Sequence, residues 1–308
     1  MKPTFSIIIP NYNHSDFLQQ RLDSVFNQTF QDFEVILLDD ASTDDSALLL
    51  NSYVNHPKVS HVIINKDNSG SPFKQWEKGI ALAKGTYVWI AESDDYCELN
   101  FLETCLKTLV GDVGVVYTQS LDIDENGDKL SHRINYTQSY KTNIWKDDFK
   151  MDGAKFISDY LLLKNVIPNA SAVVFKKDII SDVYFNKALL SMRMCGDWFF
   201  WLQLVSNTNI AFINQDLNFF RHHNQVSRNH FNSNKKKVRL IEESLIRQYL
   251  KEKQGINNKV MNNKLLVNWF KLHTKKDLFK RSFYRLHPSL FKKVVFAFQF
   301  ICFKLKKY

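Results

Sequence analysis

Two pairs of adjacent acids are the residues most suited to chemistry in this sequence. Asp94-Asp95 closes Glu92-Ser93-Asp94-Asp95 directly after the apolar run Tyr87–Ala91, and Asp39-Asp40 ends the apolar run Glu34–Leu38. Carboxylates are the hard ligands that Mg2+ or Mn2+ prefers. A divalent cation held there would neutralise a diphosphate as it departs. Adjacent acids at a strand end are costly unless a cation or hydrogen-bond donors compensate them. A carboxylate at the Asp39-Asp40 position can accept a proton from a uracil ring or a ribose hydroxyl. The competing reading makes Asp94-Asp95 a solvated turn, or the start of a helix over Glu98–Leu109 where Asp is favoured. Capping accounts for Ser42, Thr43 and Asp44 but leaves Asp39 and Asp40 unexplained.

The elements that must position these acids follow from the hydrophobic pattern. Phe5–Ile9, Glu34–Leu38, Val59–Ile64 and Tyr87–Ala91 are short apolar runs that predict buried strands. Between them, Leu18, Leu22, Val25 and Phe26 recur at helical spacing, Ser46–Tyr53 reads as helix, and Phe73–Leu82 closes at Lys84-Gly85. This alternation predicts an α/β fold, a Rossmann-like and mostly parallel sheet flanked by helices. Ligands in such sheets bind outside the carboxyl ends of the strands, where Asn11-Tyr12-Asn13, Asp39-Asp40 and Asp94-Asp95 all fall. Further on, Val113–Thr118, Ala172–Phe175 and Leu217–Phe220 predict strands, and Asp197–Val205 a helix with Asp197 near its start.

Charge divides the 308 residues unevenly. Residues 1–232 hold 21 Lys+Arg against 28 Asp+Glu, and residues 233–308 hold 20 against 4. The basic tail reads as amphipathic helix, with Val238, Ile241, Leu245 and Tyr249 on one apolar face. A tail of net +16 suits a polyanion or an anionic lipid surface, and a solvated helical face is the plainer alternative. The four cysteines have neither metal nor redox spacing, which points to a reducing compartment. The N-terminal apolar run is too short for a signal peptide, and Val294–Phe303 is too short to span a bilayer. The expected protein is neither secreted nor integral.

Three stretches in series resemble the family 2 glycosyltransferases: Ser6-Ile-Ile-Ile-Pro-Asn-Tyr-Asn13, Val35-Ile-Leu-Leu-Asp-Asp-Ala-Ser-Thr-Asp44 and Lys84-Gly-Thr-Tyr-Val-Trp-Ile-Ala-Glu-Ser-Asp-Asp95. The resemblance covers roughly residues 4–230. It implies the GT-A fold and a nucleotide-sugar donor, most simply a UDP-sugar, transferred with inversion. It also implies a catalytic domain over 1–231, with a nucleotide-sugar half at 1–118 and an acceptor half at 119–231, followed by a basic helical extension at 232–308. By the same resemblance Pro10 and Tyr12 flank the nucleoside with Asn13 and Asp39 beside them, Asp40 contacts the base, Asp94 faces the ribose and Asp95 ligates Mg2+ or Mn2+. Lys74 and Gln75 approach the donor. Cys195-Gly196-Asp197-Trp198 resembles the segment that supplies the base. Many members carry Glu-Asp there, and here Asp197 alone can serve, taking the acceptor hydroxyl's proton. Arg221-His222-His223 with Ser227 resembles the late Arg-x-His element near diphosphate and metal. His223 fits its spacing and His222 stays open.

Pro168-Asn169-Ala170-Ser171 is read either as acceptor lining or as a plain turn before a strand. In Leu290–Leu305 a wide apolar face flanked by lysines suits a helix lying in a membrane interface. Peripheral contact with an anionic membrane through 284–308, a cytoplasmic place on the inner face of the cell membrane, and a glycan or polyprenyl-linked acceptor are therefore expected. The alternative is that this helix docks on the body. Three other readings are weaker. A sugar nucleotidyltransferase would carry a Gly-rich loop where Pro10-Asn11-Tyr12-Asn13 stands. Nucleic-acid binding through the tail meets an acidic body and no recognised module, so no nucleic-acid partner is expected. A catalytically silent sugar-binding relative would not need the full acid set.

Overall fold

The computed structural model describes residues 2–167, 169–223, 232–286 and 290–305; Pro168 and Ser227, singled out above, lie outside the described residues. The chain divides into two units, Met1–Ser191 with Asp197–Gln225, and Met192–Gly196 with Val226–Tyr308. The sequence reading placed one boundary at 231/232. The division by contacts groups the short strip Met192–Gly196 with the tail unit.

In the first unit, strands β1 (Phe5–Asn11), β2 (Phe33–Asp39), β3 (Val59–Ile64) and β4 (Tyr87–Ile90) alternate with helices α1 (Ser15–Phe26), α2 (Ser46–Ser52) and α3 (Pro72–Leu82). Then come β5 (Tyr96–Cys97), α4 (Phe101–Thr108), β6 (Val113–Ile123), β7 (Lys129–His132), α5 (Ile134–Thr137), β8 (Phe149–Asp152), α6 (Gly153–Phe156), β9 (Val173–Lys176), α7 (Lys187–Ser191), α8 (Gly196–Val205) and β10 (Asn209–Arg221). The sheet order is β3-β2-β1-β4-β9-β6-β10-β5, with β7 on β6 and β8 on β10. The parallel pairing expected from the sequence holds through β3-β2-β1-β4. The sheet as a whole is mixed, because β9 runs antiparallel to both β4 and β6.

The reversal of β9 between β4 and β6 fixes the geometry of the site. β4 and β6 both oppose β9 and so run the same way, and β10 is parallel to β6. The carboxyl ends of β1, β2, β4 and β10 therefore share one edge of the sheet. Strands β1 and β2 are buried at every position, which is why they read as mainly apolar runs. Pro10 is tolerated inside β1 because pairing with β4 ends at Ile8↔Ile90. Gly79 lets α3 lie close against β1: a Cβ there would sit 2.4 Å from Ile8 Cγ2.

The second unit holds α9 (Ser233–Lys253), α10 (Lys259–Lys271) and α11 (Leu290–Leu305). Its core is Leu240, Leu265, Trp269, Phe270, Phe283, Phe296 and Phe300. The face of α9 differs from the expectation. Leu240, Glu242, Ile246 and Leu250 are buried, whereas Val238 and Leu245 are each 38% exposed. The helix is turned by a polar contact that apolar periodicity does not register. Glu242 points inward, where its carboxylate accepts the backbone N–H groups of Arg193, Met194 and Cys195, each at 2.8 Å.

Candidate active site

The first two loops at the shared edge are tied together by side chains. Asp39 is fully buried. Its Oδ1 accepts from Asn11 Nδ2 (2.8 Å) and Ser42 Oγ (2.6 Å), and its Oδ2 from the Ser42 N–H (2.8 Å). Asn13 and Ala41 both adopt left-handed backbone, with φ of 55° and 60°. That strain is offset by cross-loop bonds, the Asn13 N–H to Ser42 Oγ and the Thr43 N–H to Asn13 Oδ1. Asp40 organises the next loop: its Oδ1 accepts from Asn65 Nδ2, the Ser69 N–H and Gln75 Nε2, and its Oδ2 from Ser69 Oγ. Lys74 is exposed, with Nζ on the Ser69 carbonyl at 2.9 Å. Tyr12 is 44% exposed at the rim, while Pro10 lies buried in the strand. Asp39 and Asp40 thus hold the loops that surround Tyr12 and Asn13.

Helix α3 connects this corner to the end of β4. Gln75 reaches Asp40, and its neighbour Trp76 donates from Nε1 to Glu92 Oε1 at 2.9 Å. Burial and the nearby charge of Asp94 push the Glu92 carboxyl up to about 8.

The adjacent acids after β4 face opposite ways. Asp95 is buried: Oδ1 accepts the Arg221 N–H (2.9 Å), and Oδ2 accepts Asn169 Nδ2 (2.9 Å) and Ser171 Oγ (2.6 Å). Burial and the Asp94 charge push its carboxyl up. Asp94 turns the other way. Its Oδ2 lies 3.1 Å from His223 Nε2, and His14 stands beside it. Burial works against the charge of Asp94, but the His223 hydrogen bond and the His14 and His223 rings hold the carboxyl well below the usual range. The sequence reading paired Asp95 with His223; the structure places Asp94 there, with Asp95 behind it bracing the strand ends.

His14, Asp94 and His223 each offer a ligand atom, all within 4.8 Å of one another, and two imidazoles with a carboxylate form a set able to hold one divalent cation. His14 Nδ1 lies 2.8 Å from Ser93 Oγ, and the His223 ring lies 5.0 Å from that of Phe17. His222 takes another path, with Nε2 3.1 Å from Asp122 on β6, a carboxylate also held by Arg133 Nε and Ser131 Oγ. Of the two histidines, His223 is thus the one that lies beside Asp94. Arg221 is buried beneath them, donating to the carbonyls of Asp94, Asp124 and Glu125, with its guanidinium 4.8 Å above the Phe17 ring.

Asp197 lies half-buried in the first turn of α8. Its Oδ2 accepts Asn165 Nδ2 at 2.9 Å and its Oδ1 the Trp198 N–H at 2.8 Å. The segment after residue 164 therefore serves two acids, Asn165 for Asp197 and Asn169 with Ser171 for Asp95. Sequence reasoning missed His14, Glu92 and Asn165. His14 had a visible signal, a titratable residue next to Asn13 in a loop already singled out. Asn165 had none.

Residues 6–182 match the family model described as glycosyl transferase family 2. The chondroitin synthase of Pasteurella multocida is 34% identical over 139 residues, 44% of this chain and 14% of that protein, so the chain spans only a small part of that synthase's length. Glycosyltransferase GlyG of Streptococcus pneumoniae is 26% identical over 238 residues, covering 72% of this chain and 71% of that one. Among solved structures, S. aureus TarS 1–349 in complex with UDP-GlcNAc aligns over 96% of this chain and 79% of its own, with TM-score 0.61 and 17% identity. The likeness supports the GT-A-like fold.

Proposed function

The chain belongs to glycosyl transferase family 2, and from that premise we propose that it moves a sugar, with inversion, from a UDP-sugar onto a glycan or polyprenyl-linked acceptor, assisted by a divalent cation. The observation that carries this reading is the cluster of Asp94 with histidine at the carboxyl edge of the sheet, beside the loops built around Tyr12 and Asn13. The UDP-GlcNAc held by TarS, which shares the fold, supports uridine as the base.

Asp94 and His223 would hold the cation, which supplies neutralising charge to the departing diphosphate. Asp95 keeps Asp94 in place by fixing the ends of β4 and β10. Asp197 would take the proton of the acceptor hydroxyl as its oxygen bonds to the anomeric carbon and the bond from that carbon to the diphosphate oxygen breaks. Asn165 holds Asp197 in one orientation for that task. Tyr12, Asn13 and Asp40 would frame the nucleoside, with Lys74 at the rim. Screening the protein against a panel of nucleotide sugars with Mn2+, reading released nucleotide, tests the donor. Asp197→Asn is expected to abolish transfer while donor binding persists; full transfer by that variant removes Asp197 from the mechanism.

The tail would hold the enzyme against an anionic membrane. Phe296 and Phe300 of α11 are buried in the core of the tail unit, yet Val294, Phe298 and Leu305 on another side of the helix are 66%, 66% and 62% exposed. An exposed apolar stripe on a unit of strongly positive charge suits shallow insertion among anionic headgroups. Like charge disfavours a second copy of the same unit in that place. Among the described residues no helix is long and apolar enough to cross a membrane.

A further inference from the structure

We propose that His14 is a third protein ligand to the cation, and that the His14–Asp94–His223 set binds a first-row transition ion in preference to Mg2+ before any nucleotide arrives. The inference rests on the cation role given above to Asp94 and His223.

Three separate segments converge to make this set: the loop after β1, the turn after β4 and the end of β10. Each is braced independently of a ligand. Ser93 Oγ holds the His14 ring at Nδ1, Arg221 Nε holds the Asp94 carbonyl, and Phe17 packs on His223. In the tautomer that donates Nδ1–H to Ser93, the His14 lone pair is left on Nε2, free to ligate. The 3.1 Å contact of His223 Nε2 with Asp94 Oδ2 would be replaced by two bonds to one ion. Ligand atoms about 2.1 Å from an ion lie roughly 3–4 Å apart, so three atoms within 4.8 Å of one another need to close by no more than about 1 Å.

The composition of the set decides which ion it favours. Mg2+ takes oxygen ligands in near-ideal octahedra and keeps its waters, whereas imidazole suits the later first-row ions. Two imidazoles in three positions therefore favour Co2+ or Zn2+, and to a lesser degree Mn2+, over Mg2+. His14 also follows Asn13 directly, so an ion on it would couple the loop that frames the nucleoside to the site of the diphosphate.

The test uses nucleotide-free protein and metal alone. Co2+ titration followed by its visible d–d absorption is expected to saturate with wild type, and a hundredfold excess of Mg2+ is expected to leave the bands in place. His14→Ala is expected to weaken Co2+ binding at least about tenfold and to change the band shape, with His14→Gln as a second variant and thermal unfolding confirming that each is folded. Equal Co2+ affinity in wild type and both folded His14 variants, alongside loss in Asp94→Ala, overturns the role of His14 and leaves the cation reading standing. Ready displacement by Mg2+ overturns the selectivity. Absence of Co2+ binding without nucleotide overturns pre-binding, and absence even with UDP present overturns the cation reading itself.

Discussion

Asn165 donates its side-chain amide to Asp197 at 2.9 Å, and Asn169, four residues on, does the same for Asp95 at the same distance. Four residues of chain span at most about 14 Å. The two acids, 102 positions apart in sequence, are thus tied to neighbouring points on one short segment. If Asp197 is the base, Asn165→Ala removes one of the bonds that orient its carboxylate, and kcat should fall about tenfold while KM for the donor stays near wild type. Asn165→Asp sets a second negative charge beside it, so the acidic limb of the pH–rate profile should move to higher pH. An unchanged profile in a folded Asn165→Asp variant would contradict the assignment.

Asp94 and Asp95 should separate cleanly by experiment. Asp95→Asn confronts Ser171, Asn169 and the Arg221 N–H with an amide in a buried site, a mismatch costing about 1–3 kcal/mol. Its denaturation midpoint should drop. Asp94→Asn should leave the Asp95 bonds intact and instead weaken Mn2+ binding, read by electron paramagnetic resonance of the free ion.

Glu92 gives the metal-free protein a pH signature. Its folded carboxyl is raised to about 8 from an ordinary 4.5, so the folded state binds the proton more tightly than the unfolded chain. The associated stability is complete below pH 4.5 and is lost as pH rises toward 8. Glu92→Gln should flatten the stability curve across that window, and Trp76 fluorescence should respond to pH there in wild type but not in the variant. A wild-type curve without slope over this range refutes the prediction.

Glu242→Ala should destabilise the tail unit by at least about 2 kcal/mol, since three backbone amides lose one charged acceptor. Hydrogen exchange at Arg193, Met194 and Cys195 should accelerate together. Protection unchanged at those three amides would show that water or another group substitutes.

On the outer face of α11, Phe298→Asp should abolish flotation with anionic vesicles without lowering the melting temperature, because Phe298 is 66% exposed. Flotation equal to wild type would place the membrane contact elsewhere or remove it.

The strands that frame the site were legible because parallel strands buried on both faces write continuous apolar runs, and their ends fall at the polar clusters. The reversal of β9 was not legible, since four residues of Val173–Lys176 carry no mark of direction. Asp94 lies in a turn closed by the Asp95 N–H on the Glu92 carbonyl, so Asp94-Asp95 announces a site without saying which carboxylate faces it. The expected apolar face of α9 failed for a related reason: periodicity weighs Glu242 as surface, whereas its partners are backbone amides that no side-chain pattern reveals.

Met192–Gly196 belongs by its contacts to the helical unit, yet Asp197 follows it without a gap. A stop codon after the last strand would therefore remove more than a separate appendage. It would delete the acceptor on which three peptide N–H groups close, immediately upstream of the proposed base. Grafting a foreign tail onto this sheet would demand a carboxylate at the place of Glu242, or a redesign of the strip it secures.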